Sequence, residues 1–157
     1  AIGFEMKVIY HDVRRAASTI EQACRASFVN KDELLAQGDI VTLHVPYSSA
    51  THHLIGKQEL KRMKPTAILI NASRGGIVDD AALIEALRQG VLAGAGLDVF
   101  ENEPKLNPGF LELKNVVLAP HIASSSRATR LKMAMLAAQN LVAALTEGAP
   151  PNLLNPF

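Results

Sequence analysis

Short apolar runs alternate with amphipathic stretches along the chain. Residues 6–11, 27–29, 40–45, 67–71, 93–99 and 116–119 are rich in Val, Ile, Leu and Ala and are bounded by Gly, Pro, Asn or Asp. That is the pattern of short buried strands. Helical signals fall between them. Asn30 is placed to cap a helix through Gln37, with Glu33 at the capping-box position and Gly38 as the stop. Residues 56–63 read as a helix ended by Pro65, and Asp79 as the cap of a helix to Gln89, stopped by Gly90. Residues 13–25 read as part loop and part helix, and 101–109 as a Pro-rich loop. A last helix is predicted from near 124–127 to about Glu147, with Leu131, Ala134, Met135, Ala138, Leu141, Val142 and Leu145 on one face. Strands alternating with helices predict an α/β fold, a parallel sheet covered on both faces.

Composition narrows the function classes. The 157 residues are enough for one domain with a sizeable core. A formal net charge of +1 gives no broad electrostatic case for nucleic acid or an acidic membrane. An aromatic share of 4 %, without Trp, argues against a base-stacking surface. No apolar stretch approaches the roughly 20 residues of a membrane span, and no targeting signal is read. With one cysteine, Cys24, no intrachain disulfide can form, which fits a reducing, cytoplasmic setting; Cys24 is expected to pack in a core. The opening Ala1-Ile2-Gly3-Phe4 and the end at Pro156-Phe157 read as cut from something longer.

Candidate chemistry sits at strand ends, where open parallel sheets bind ligands. Asp12 ends the first strand; in dinucleotide-binding folds a carboxylate there hydrogen-bonds the adenosine ribose and favours NAD over NADP. A solvated strand-end Asp is the plainer alternative, and Arg14 and Arg15 offer charge for a 2′-phosphate. The glycine fingerprint G-x-G-x-x-G is absent and is expected upstream of Ala1. Gly94 and Gly96 lie inside a strand and read as a close-packing site. In Asn71-Ala72-Ser73-Arg74-Gly75-Gly76 the glycines let the backbone approach a ligand, and Arg74 can hold a carboxylate through two parallel N–H donors, unless it is a surface charge. Asn71-Ala72-Ser73 is a sequon by chance. Glu103 follows Asp98 in an acidic loop stiffened by Pro104. Pro120 beside His121 predicts an extended backbone that presents the imidazole. His44 is a candidate pocket residue. His52 and His53 read as loop surface, and His11 has no special setting.

Three segments, 71–75, 96–104 and 120–124, stand in an order and spacing that resemble the D-isomer-specific 2-hydroxyacid dehydrogenases. Residues 39–46 and 51–55 add to the match, which covers nearly the whole chain. It is most similar to glyoxylate/hydroxypyruvate reductases and 2-ketogluconate reductases. The resemblance implies a Rossmann-like doubly wound, three-layer sheet lacking its first strand and glycine-rich turn. Residues 1–148 would be the nucleotide-binding domain, and 149–157 the start of a crossing to an absent substrate domain. It implies a catalytic set of Arg74 for the substrate, His121 as acid/base and Glu103 as its partner carboxylate. It implies cofactor contacts at Asp12, Val45, Pro46, Ala72, Ser73, Arg74, Asp98, His121 and Ala123, with no metal. The cofactor is expected to be NAD, with NADP as the alternative, and the substrate a short 2-keto acid or its D-2-hydroxy acid. A homodimer is expected. Glu103 sets the chain apart from formate dehydrogenases, which carry Gln there, and Ala123 stands where Gly is frequent. The competing readings are an NAD-sensing corepressor-like protein of the same family and an inactive fragment.

Overall fold

The computed structural model describes residues 1–146 and 148–154. It divides into two compact units, Ala1–Pro120 and the chain from His121 onward. Every described strand lies in the first. β1 (Val8–Tyr10) and β2 (Ala26–Phe28) form a parallel pair joined by α1 (Ser18–Cys24). A second parallel sheet has the order β3 (Ile40–Leu43), β4 (Ile68–Asn71), β5 (Gly94–Leu97), β6 (Val116–Leu118). Its crossovers carry α2 (Lys31–Gln37, before β3), α3 (Lys57–Arg62) and α4 (Asp80–Arg88). A dinucleotide-binding sheet runs 3-2-1-4-5-6, with its first strand in the middle. Among the described residues, β1–β2 and β3–β6 share no strand.

Local signals place the helices. The Asn30 side chain accepts the Glu33 N–H at 2.8 Å, and the Asp79 side chain accepts the Ala82 N–H at 2.9 Å. The Glu33 carboxylate does not complete a capping box; it accepts from Gln37 at 2.9 Å. Gly38 is not left-handed (φ −67°). It is needed for space: a Cβ there would lie 2.9 Å from Val41 Cγ2 and 3.0 Å from the Leu34 carbonyl oxygen. Gly96 is likewise a packing position, where a Cβ would come 3.0 Å from Ile70 Cδ1.

α2 packs on α3 and α3 on α4. The core of this unit joins Val41, Leu43, Leu69, Ala95 and Leu97 from the sheet to Leu35, Leu60, Leu83 and Leu87 from those helices. Burial along β3 and β4 alternates. Ile40, Ile68 and Val117 point to the other face and are exposed. The Pro-rich loop contains an unforeseen 3₁₀ turn, Pro108–Glu112, that buries Phe110 completely. Cys24 is exposed, against expectation; it ends α1, which buries none of its residues.

The second unit is mainly α5 (Arg127–Leu145), capped by the Ser126 hydroxyl on the Thr129 N–H at 3.1 Å. None of its residues is buried. The expected helix end at Glu147 lies outside the described residues. No described helix is long and apolar enough to cross a membrane.

Candidate active site

β3 and β4 are parallel neighbours, so their carboxyl ends open on the same side. The chain leaves β3 as His44-Val45-Pro46-Tyr47 and β4 as Ala72-Ser73-Arg74. These seven residues line a cleft of about 530 Å³. Five of the predicted positions, Val45, Pro46, Ala72, Ser73 and Arg74, therefore meet at one place, with His44 as a further wall.

The loop carrying Arg74 is shaped by a residue whose role was not read from the sequence. Asn71 is buried at the end of β4. Its side-chain oxygen accepts from the Ser73 N–H at 3.2 Å and the Ser73 hydroxyl at 2.8 Å, and its amide donates to the Arg74 carbonyl at 3.0 Å. The buried amide thus folds the chain back immediately after the strand. Arg74 itself is exposed, and its guanidinium donates to the Ser73 carbonyl at 2.6 Å. Gly75 then passes directly over the next loop. A Cβ at Gly75 would lie 1.8 Å from the Phe100 carbonyl oxygen, so only glycine fits.

That next loop follows β5. Asp98 is buried, and its N–H donates to the Asn71 carbonyl at 2.9 Å, extending the β4–β5 pairing. Glu103 is exposed and turns back on its own loop, accepting the Phe100 N–H at 2.9 Å. The loop is also held from outside. The Glu101 N–H donates to the buried carboxylate of Asp80 at 3.1 Å, and the Glu101 carboxylate meets His53 Nε2 at 2.5 Å. Burial raises the Asp80 carboxyl to about 6, against the opposing pull of the Glu101 N–H; the charges of Glu101 and Asp79 raise it further, and His53 lowers it. His53 is half-buried and paired, which corrects its reading as loop surface; His52 is exposed. Asp80 was hidden behind Asp79, because a cap explains only the first of two adjacent carboxylates.

Asp12 lies at the end of β1, exposed, and its carboxylate accepts the Arg14 N–H at 3.0 Å. The turn after it is closed around Tyr10. The Tyr10 hydroxyl accepts the Ala16 N–H at 2.9 Å and donates to Glu21 at 2.7 Å. Arg15 forks onto the same carboxylate at 2.9 and 3.0 Å. The Arg15 fork, then the Tyr10 hydroxyl, hold the Glu21 carboxyl down at about 2.

His121 and Ala123 belong to the second unit and are both exposed. The His121 φ is 54°, left-handed rather than extended. Proline restricts the residue before it, here Ala119, and leaves the one after it free to turn. The structure thus gathers Arg74 and Glu103 into abutting loops of one unit, and His121 is described in the other.

The donor set fits half of a dinucleotide. The cleft pairs an apolar wall, Val45 and Pro46, with small Ala72, the Ser73 hydroxyl and a cation, at the strand ends where such cofactors lie. The comparisons agree. Residues 1–123 match the family model described as D-isomer specific 2-hydroxyacid dehydrogenase, NAD binding domain. Glyoxylate reductase of Thermococcus litoralis is 52 % identical over 155 residues, covering 99 % of this chain and 46 % of that protein. A solved protein from Thermus thermophilus superposes with a TM-score of 0.90 at 42 % identity, over 98 % of this chain and 48 % of that one. The NAD complexed form of a D-isomer specific 2-hydroxyacid dehydrogenase from Lactobacillus delbrueckii ssp. bulgaricus gives 0.86 at 32 %, over 98 % and 50 %. The fold is therefore that of a Rossmann-like, NAD-binding α/β domain. The chain belongs to the D-isomer specific 2-hydroxyacid dehydrogenase family. It spans about half the length of the curated relatives it matches.

Proposed function

We propose that the chain is the cofactor-binding half of an NAD(H)-dependent oxidoreductase. The enzyme would interconvert a short 2-keto acid, of glyoxylate or hydroxypyruvate type, with its D-2-hydroxy acid. The observation that carries the proposal is the cleft where Val45, Pro46, Ala72, Ser73 and Arg74 converge beyond β3 and β4. Residues 1–148 form the nucleotide-binding domain in this reading, and 149–157 begin the crossing to the substrate domain; Asn155 and its neighbours to the end lie outside the described residues.

The bound nicotinamide would supply the hydride. Val45 and Pro46 wall the cofactor, Ala72, Ser73 and Asp98 lie along its nicotinamide half with His121 and Ala123, and Asp12 takes the adenosine ribose. NAD is favoured over NADP because Asp12 repels a 2′-phosphate and Arg15 is engaged by Glu21, which leaves Arg14 as the cation that could take one. Arg74 holds the substrate carboxylate and polarises the carbonyl. His121 gives a proton to the carbonyl oxygen, with Glu103 as its partner carboxylate. A homodimer is what the family resemblance implies, and a cytoplasmic setting is supported by the lone cysteine.

The test is keto-acid-dependent NADH oxidation by the full-length protein. His121→Ala should lower kcat by about 10²- to 10⁴-fold with little change in NADH affinity. Glu103→Gln should move the pH profile of reduction to lower pH. Wild-type turnover in His121→Ala would remove it as proton donor. Absence of any keto-acid reduction by the wild-type protein would favour a regulatory NAD-binding role instead.

A further inference from the structure

His53 stands outside the roles assigned above, yet it touches both loops that carry them. Its main-chain N–H donates to the Gly76 carbonyl at 2.8 Å, tying it to the loop of Arg74. Its imidazole Nε2 meets the Glu101 carboxylate at 2.5 Å, tying it to the loop of Glu103. The other ring nitrogen lies 3.9 Å from the Asp79 carboxylate, at the cap of α4. The backbone at His53 is left-handed, φ 51°, a conformation a non-glycine residue keeps only where its surroundings over-determine it. Those surroundings are on hand. Ile55 bridges in parallel to Val78, and the His52 ring stacks on the His53 ring with centroids 3.9 Å apart.

Glu101 is gripped twice, its side chain by His53 and its N–H by Asp80. Glu103 closes onto the Phe100 N–H of the same loop. Gly75 lies against the Phe100 carbonyl. A displacement of Glu101 therefore reaches Glu103 through Asn102 and Arg74 through the contact of Gly75 with the Phe100 carbonyl.

We propose that His53 is a positioning residue: its main chain and imidazole bracket the Arg74 and Glu103 loops and hold the two side chains in register. The proposal rests on the dehydrogenase reading above. His52, His53 and Glu101 also bring ligand atoms within 4.8 Å of one another. A metal explains them less well. The two rings are stacked with planes 23° apart, so their nitrogens run alongside each other rather than converge. His53 Nε2 already faces Glu101, and His52 Nδ1 faces the Tyr47 hydroxyl at 3.2 Å.

The experiment uses the full-length protein with His53→Ala, His53→Gln and Glu101→Ala, read by steady-state kinetics and by hydrogen exchange. His53→Ala should lower kcat/KM for the keto acid by about 10- to 100-fold, because small misplacements near the chemistry cost that much. The NADH KM should stay within about twofold and Tm within about 3 °C. His53→Gln, which can still donate to Glu101, should recover most of the loss. The losses in His53→Ala and Glu101→Ala should not add in the double variant. Unchanged kinetics, additive losses, or a loss matched by a large fall in Tm would overturn the proposal. So would activity abolished by EDTA and restored by Zn²⁺. Should the wild-type protein reduce no keto acid, the reading beneath fails separately. The bracket is then judged by amide exchange at Phe100 and Glu101, which should quicken in His53→Ala; unchanged exchange would refute it.

Discussion

Asp80 is a carboxylate placed where its charge is a burden. Only 5 % of the residue is exposed, and burial is the largest influence on its acidity, taking it from an ordinary 3.8 to about 6. The folded chain therefore binds a proton between those two values that the unfolded chain has released. Stability from this group is fully present below pH ~4 and is lost as pH rises through ~6. Each pH unit of that window is worth about 1.4 kcal/mol, which gives a ceiling of about 3 kcal/mol. Glu101 and His53 at its edge are partly solvated, so about 1–2 kcal/mol is the expected size. Asp80→Asn removes the ionisation but keeps an oxygen to accept the Glu101 N–H. Urea melts of wild type and variant from pH ~4 to ~7.5 should nearly coincide at the acid end, diverge between pH ~4 and ~6, and keep a constant separation above. The variant should be the more stable by the amount above. Contributions from Glu21 and Glu59, whose acidity shifts the other way, cancel in the comparison. A variant less stable than wild type at neutral pH would refute the reasoning. It would mean that the ionised carboxylate, through its grip on the Glu101 N–H, outweighs its desolvation.

Gly75→Ala forces a Cβ to within 1.8 Å of the Phe100 carbonyl oxygen, so the two loops must part by more than ~1 Å. We expect at least about 1–3 kcal/mol of destabilisation together with a raised keto-acid KM, and unaltered melts and kinetics would show that the loops do not abut. Phe110→Ala empties the most buried large side chain, beside Phe100, and should cost about 3–5 kcal/mol, or roughly 10 °C in Tm. Cys24→Ser replaces an exposed thiol, so melts and kinetics should match wild type; a marked loss of stability would return Cys24 to a core.

What could be read from the sequence was what is decided locally. Asn30, Asp79 and Ser126 announce helix starts because a cap needs only a short polar side chain and the next turn. The strand ends were legible because β-rich runs stop at Pro46, Asn71 and Asp98. The cleft followed, since parallel strands must open on one side. What escaped depends on distant partners. His53 and Glu101 are 48 residues apart, so neither reveals the other. Asn71 looked like part of a sequon, and only its burial shows it holding the Arg74 loop. The left-handed turn at His121 escaped because Pro120 governs its predecessor. Alternating burial in β3 and β4 escaped because an apolar run does not show which of its positions pack most tightly.

The knot around Tyr10 makes coenzyme preference a problem of linked positions. Substituting Asp12 alone would remove a repulsion and leave Arg14 as the nearby cation, since Arg15 stays forked onto Glu21. Releasing Arg15 by changing Glu21 would at the same time untie Tyr10, whose hydroxyl closes the turn at Ala16. An engineer seeking to recruit a phosphorylated coenzyme would meet strong epistasis here. Recruiting Arg15 beside Arg14 passes through Asp12, Glu21 and a new tether for the Tyr10 hydroxyl together.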